Sequence, residues 1–142
     1  MSIKNFKEIE FYLYNYKNLG DMIKEIEREY IDLVNGSVNT WLKSQKREMN
    51  TLENQVINMT EDKRILRYKK WQAFLKQKLA FLYERYPILY EFIMLKYIKK
   101  KDIMYIKDKL SIDSKEIKSI RKKVICWLRK SAIDEGVIKK ER

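Results

Sequence analysis

Residues 102–129 read DIMYIKDKLSIDSKEIKSIRKKVICWLR, and the spacing within this stretch decides the fold. Asp102, after the lysines of 99–101, is a good N-cap. From it the pattern predicts a helix to about Leu110, a turn at Ser111-Ile112-Asp113, and a longer basic helix starting at Asp113 or Ser114 and running to about Lys130. A preceding helix spans about 88–98. Two helices joined by so short a turn have the outline of a helix-turn-helix unit, the second helix being of the kind that enters the major groove of DNA.

The apolar positions agree. Ile103, Ile106 and Leu110 would face inward, with Ile112 plugging the turn. On the last helix Ile117, Ile120, Val124 and Leu128 form the inward stripe, with Trp127 on its flank. At ~100° per residue the opposite face then holds Lys115, Lys118, Ser119, Lys122, Cys126 and Arg129. Position suggests the roles. Lys115, Lys118 and Ser119 are best placed for base edges, and Lys122 and Arg129 for phosphates. Ser114 and the first amides of the helix would take a phosphate at the helix N-terminus. Lys99, Lys100 and Lys101 would grip the backbone. Arg121 falls inward, its stem buried and its head in water. Lysine lacks the planar fork of arginine, so direct readout per contact should be modest.

Charge is concentrated in the same place. The chain of 142 residues carries +12. Residues 1–59 hold 8 Lys/Arg against 9 Asp/Glu, and residues 60–95 hold 8 against 4. Residues 96–130 hold 13 against 4, so most of the excess lies in the proposed unit. Such a concentration attracts phosphates and releases their counterions. The plainer alternative is a helical bundle whose lysines only solvate its surface.

Composition narrows the rest. With 45% apolar residues, three glycines and one proline, a core is affordable and long helices are favoured over strands and turns. There is no histidine and one cysteine, Cys126, which excludes an internal disulfide and removes the commonest general base and metal ligand. No carboxylate pair in an apolar setting and no Gly-rich phosphate loop stands out. A catalytic site, a metal site and a cofactor are therefore not expected. No apolar run nears the ~20 residues that span a bilayer. The first residues, MSIKNFKEIEFY, carry charge throughout, so a cytoplasmic location without membrane contact is expected.

Upstream, Phe6, Ile9, Leu13 and Tyr16 predict a helix over 4–19, and Gly20-Asp21 a stop and new cap. Ile23, Ile26, Tyr30 and Leu33 predict a second helix over about 22–34, closed by a loop at Val34-Asn35-Gly36-Ser37. Residues 40–58, with Leu42, Met49, Leu52 and Val56, read as a further helix. Thr60 would cap a long helix to Arg85, with first-turn acids Glu61 and Asp62. Pro87 then breaks the chain or opens the next helix. Ten tyrosines and three tryptophans could stack on single-stranded bases. Most sit at helical spacing beside Leu and Ile, where a core role fits better. Trp41, in a weakly apolar segment, is a candidate partner contact.

The stretch Tyr90 to Leu128, YEFIMLKYIKKKDIMYIKDKLSIDSKEIKSIRKKVICWL, resembles the C-terminal part of the RinA/ArpU-like phage late transcriptional regulators, which in turn look like the DNA-binding C-terminal domain of sigma factors. The likeness lies in the helix ending at Tyr97, the Ile-x-x-Ile of the second helix, Ser114, and Ile-x-x-Ile-x-x-x-Val in the third. Ile106 and Ser111 replace the small residue and glycine usual around such a turn. The resemblance implies an activator of phage late or packaging genes working with host RNA polymerase.

The expected protein is all-α, with a helical dimerisation or partner-binding region over 1–59, a connecting long helix over 60–86 and a helix-turn-helix domain over 87–142. Its expected partners are double-stranded DNA, host RNA polymerase and a second copy in a homodimer. The alternatives are a sigma-like polymerase subunit, a small-terminase-type packaging protein and a helical scaffold without DNA.

Overall fold

The computed structural model describes residues 3–41, 54 and 57–139. Among these the chain is all-α, with no strand. The helices are α1 (Ile3–Tyr14), α2 (Leu19–Trp41), α3 (Lys63–Arg85), α4 (Pro87–Ile93), α5 (Ile103–Leu110) and α6 (Ser114–Asp134). A 3-10 turn, Tyr16–Asn18, precedes α2, and a π-helical turn, Met94–Ile98, extends α4. No helix among the described residues is long and apolar enough to cross a membrane.

The chain forms two compact units, and they do not follow the expected division at 59 and 86. One comprises residues 1–17 and 71–142, and the other residues 18–70. The first helix therefore belongs with the C-terminal helices.

In that larger unit α1 packs on α6 and on the π turn. Ile9 and Leu13 are fully buried, and Tyr12 stacks on Trp71 with ring centroids 4.4 Å apart. Trp71 meets Phe74 edge-on, and Leu75, Leu82, Phe92 and Ile93 complete the core with Ile125 and Leu128 of α6. Pro87 occupies the first position of α4, where its missing N–H costs no helical bond. In the π turn Lys99 N–H donates to Met94 O at 2.7 Å. The wider turn brings Leu95, Tyr97 and Ile98 into the core and leaves Lys96 half-buried, 5.7 Å from the Tyr14 ring.

The smaller unit is built on Ile23, Ile26 and Ile65, with Tyr30, Met59 and Tyr68 against them. Tyr30 donates its hydroxyl to Asp62. Leu33, expected inward, is exposed.

Several boundaries differ from the sequence reading. The first helix ends at Tyr14, not 19, because the backbone and side-chain amides of Asn15 both donate to Phe11 O, at 3.0 and 2.8 Å. A side chain that bonds its own backbone competes with the next helical turn. The next helix begins at Leu19, so Gly20 lies in its first turn. The loop expected at 34–37 is helical, and α2 continues to Trp41. Gly36 weakens a helix by about 1 kcal/mol, and without a proline nearby that is too little to end it. The cap of α3 is Asp62 rather than Thr60: its carboxylate accepts from Arg64 N–H at 2.8 Å and Ile65 N–H at 3.4 Å. Thr60 donates to Ile57 O at 2.8 Å. The helix expected over 40–58 and the side chain of Trp41 fall outside the described residues, apart from residues 40–41, 54 and 57–58, which are helical.

Candidate nucleic-acid interface

The unit built by α5, its turn and α6 starts with two well-formed caps. Asp102 accepts from Tyr105 N–H at 2.8 Å, and Asp113 accepts from Glu116 N–H at 2.8 Å. Between them Ser111 closes α5 in the left-handed conformation, φ 55° and ψ 48°, and Ile112 N–H returns to Lys107 O at 3.1 Å. Glycine is the residue best suited to that geometry.

The inward face is largely as spaced. Ile106, Ile117, Val124 and Leu128 are buried, while Leu110, Ile112, Ile120 and Trp127 are half-buried. Ile103 is a correction: it is 56% exposed, with Met104 and Tyr105 exposed beside it. Ile106 is the one buried residue of α5. Ile125 and Ala132 are fully buried although the stripe omitted them.

These two residues explain a rotation of the whole face. α1 covers the flank of α6 that carries Arg121, Ile125 and Arg129. Arg121 donates to Glu10 through Nε (3.0 Å) and Nη2 (2.6 Å) and lies 4.7 Å from the Phe6 ring centroid. Its head is therefore paired rather than simply hydrated. Tyr97 adds its hydroxyl to the same carboxylate. Burial pushes Glu10 towards protonation, but the hydrogen bonds from Arg121 and Tyr97 outweigh it and hold Glu10 below its ordinary value. Burial, reinforced by Glu10, pushes the Tyr97 hydroxyl well up. Arg129 is half-buried and donates Nε–H to Asn5 Oδ1 at 3.2 Å.

The other expected contacts are accessible. Ser114, Lys115, Lys118, Ser119 and Lys122 are exposed along α6. Lys123 and Lys130, which the face drawn from the sequence left out, are exposed as well. Their position at ~80° and ~60° from Lys115 places them beside Ser119, so the wheel itself held the signal. The free face is thus centred nearer Lys122 and Lys123 than Arg129. At the N-terminus of α6 the Asp113 carboxylate already occupies the Glu116 amide. An anion approaching Ser114 would meet that charge, which weakens the phosphate role expected of this end.

Lys99, Lys100 and Lys101 are exposed in the link between the π turn and α5. Lys100 has φ 54°, and Lys101 lies 5.1 Å from the Tyr105 ring centroid. A cleft of about 610 Å³ opens here, lined by Lys96, Lys101, Lys118 and Arg121 with the single acid Asp102, and by the apolar Ile103 and Met104. The link and α6 therefore share one basic surface. Among the described residues no group of three or more Cys, Asp or Glu is arranged to hold a metal ion. Comparison of the sequence with protein-family models and curated proteins, and of the structure with solved structures, finds no match.

Proposed function

We propose that this chain is a sequence-specific double-stranded-DNA-binding transcriptional activator whose α6 docks in the major groove. One observation carries the reading: Lys115, Lys118, Ser119, Lys122 and Lys123 are exposed along one face of a helix whose opposite face is buried. That arrangement combines donors for base edges with a fixed apolar anchor. Lys99, Lys100 and Lys101 supply backbone contacts from the adjoining link. The RinA/ArpU-like resemblance of residues 90–128 extends the proposal to phage late or packaging genes, in concert with host RNA polymerase. So small a unit makes few base contacts, and a homodimer on a repeated or palindromic site would double them.

The test is selection of bound fragments from the source genome, followed by titration at two salt concentrations. An enriched site with steep salt dependence is the expected outcome. A flat salt response would remove DNA from the account. On the selected site Lys118→Ala should reduce sequence preference. Lys122→Ala should weaken all duplexes alike and lower the slope of log Kd against log salt by roughly one. Equal effects from both substitutions would mean that another face of α6 meets the bases.

A further inference from the structure

The flank of α6 opposite α1 is not covered in the same way. There Phe81, near the end of α3, and Tyr86, just before α4, stand 43% and 54% exposed. Phe81 stacks on the half-buried Trp127 of α6, centroids 5.7 Å apart and planes 22° apart, and Tyr86 lies 6.1 Å from Phe81. These rings border a groove of about 240 Å³ whose apolar wall continues through Leu89 and whose one charged lining residue is Lys123. No carboxylate lines it. Lys78, 5.8 Å from the Trp127 ring centroid, pairs with Glu135.

Three rings packed into a core would need no further account. These differ because two keep about half their surface in water, and because the cation at the rim belongs to the free face of α6. A ligand suited to the groove has a flat apolar part and an anion a short distance from it. A nucleotide within a strand has both: the base stacks on an aromatic face, and the adjacent phosphate meets a lysine. An acidic peptide with an apolar anchor shares the charge but does not use the planar faces.

We propose that the groove formed by Phe81, Tyr86 and Trp127 receives an unpaired nucleobase, with Lys123 holding the neighbouring phosphate. The inference rests on the nucleic-acid reading of α6 and sharpens it: the protein would favour DNA with a base out of the stack beside the bound duplex. Extrusion is least costly where a base has no partner.

The experiment compares two probes, a duplex containing the selected site and the same duplex with one unpaired 2-aminopurine inserted at successive positions at its edge. The full chain should bind the bulged probe roughly tenfold more tightly at one position and quench its fluorescence by stacking, a factor within the range for one base on one aromatic ring. Tyr86→Ala and Phe81→Leu should abolish the preference and the quenching while leaving the paired duplex unaffected. Tyr86→Phe, which keeps the ring, should retain both. Equal affinity for the two probes at every position would overturn the proposal while leaving duplex binding intact. So would a preference that survives loss of the rings, or displacement of the bulged probe by a glutamate- and leucine-rich helical peptide that itself requires Phe81. Failure to bind either probe at low salt would sink the nucleic-acid reading and this inference together.

Discussion

Arg121 and Arg129 differ from the neighbouring lysines of α6 in where they donate. Both lie on the flank of α6 that α1 covers, Arg121 donating to Glu10 and Arg129 through Nε to Asn5. Lys122 and Lys123 are exposed. The distinction predicts a split in salt dependence. Lys123→Ala should lower the slope of log Kd against log salt by roughly one, whereas Arg129→Ala should leave it unchanged and show instead as a small loss of thermal stability. A reduced slope for Arg129→Ala would mean that the Asn5 contact opens when DNA binds. Glu10 supports a second prediction at this scale. Its folded value is depressed, so the stability that it contributes is present above the ordinary carboxylate range of about 4.3 and is lost as pH falls through the lower folded value. Glu10→Gln should cost about 1–2 kcal/mol at neutral pH, less than for a fully buried pair because the Arg121 head is partly in water. It should also flatten the decline of stability below about pH 4. Urea melts at pH 7 and pH 3.5 provide the check, and an unchanged pH dependence would assign the acid sensitivity to other carboxylates, Asp62 first among them, since its hydrogen bond with Arg64 holds it far below its ordinary value.

At the scale of elements the turn between α5 and α6 is the place where one substitution should help. Ser111 is held at φ 55°, a conformation that costs a non-glycine residue about 1 kcal/mol or more. Ser111→Gly should raise stability by roughly 0.5–1 kcal/mol, the relief of strain exceeding the extra entropy of a glycine in the unfolded chain. Asp113→Ala should act the other way, with a loss of about 1 kcal/mol as the Glu116 amide loses its acceptor. Thermal melts of the two variants would test both signs. If Ser111→Gly destabilised, the serine hydroxyl would have to be doing more than the backbone geometry requires. The same elements show what a sequence can tell. Asp102, Asp113 and the 3-4-4 spacing of Ile117, Ile120, Val124 and Leu128 are local signals, and both caps and most of the inward face follow from them. Ile103 is exposed, and Ile125 and Ala132 are buried on the flank that α1 covers. Neither is written in the periodicity of α5 or α6. The helical run through Gly36 and the early stop at Asn15 are balances of about 1 kcal/mol between propensity and side-chain bonding, which spacing alone does not resolve. The basic surface was legible because solvated lysines need no partner to place them. The aromatic groove was not, because Trp127 lies far along the chain from Phe81 and Tyr86.

At the scale of the whole molecule the larger unit is discontinuous in sequence, since residues 1–17 complete a core otherwise made by residues 71–142. From α1 come Ile9, Tyr12 and Leu13, all essentially inaccessible, together with the carboxylate that satisfies Tyr97 and Arg121. Burying each large apolar side chain is worth about 1.5–3 kcal/mol, so three contribute on the order of 5–9 kcal/mol before any polar term. Domain stabilities are typically about 5–15 kcal/mol in total. Removal of α1 should therefore not merely weaken the larger unit but prevent its cooperative folding. A fragment of residues 71–142 is expected to show helical far-ultraviolet dichroism, a weak near-ultraviolet signal and no sharp thermal transition. A synthetic peptide of residues 1–17 should restore the transition in a concentration-dependent way, because a piece that binds only the folded form stabilises it by mass action. The peptide carrying Glu10→Gln should restore it less well, and one carrying Leu13→Ala less well again, since a cavity in the core costs about 2–5 kcal/mol. A fragment 71–142 that melts cooperatively alone would show that α1 is an accessory to a self-sufficient C-terminal domain. In that case the pairing of Arg121 and Arg129 with α1 would have to be weighed as a means of withholding two cations from DNA rather than as part of what makes α6 fold.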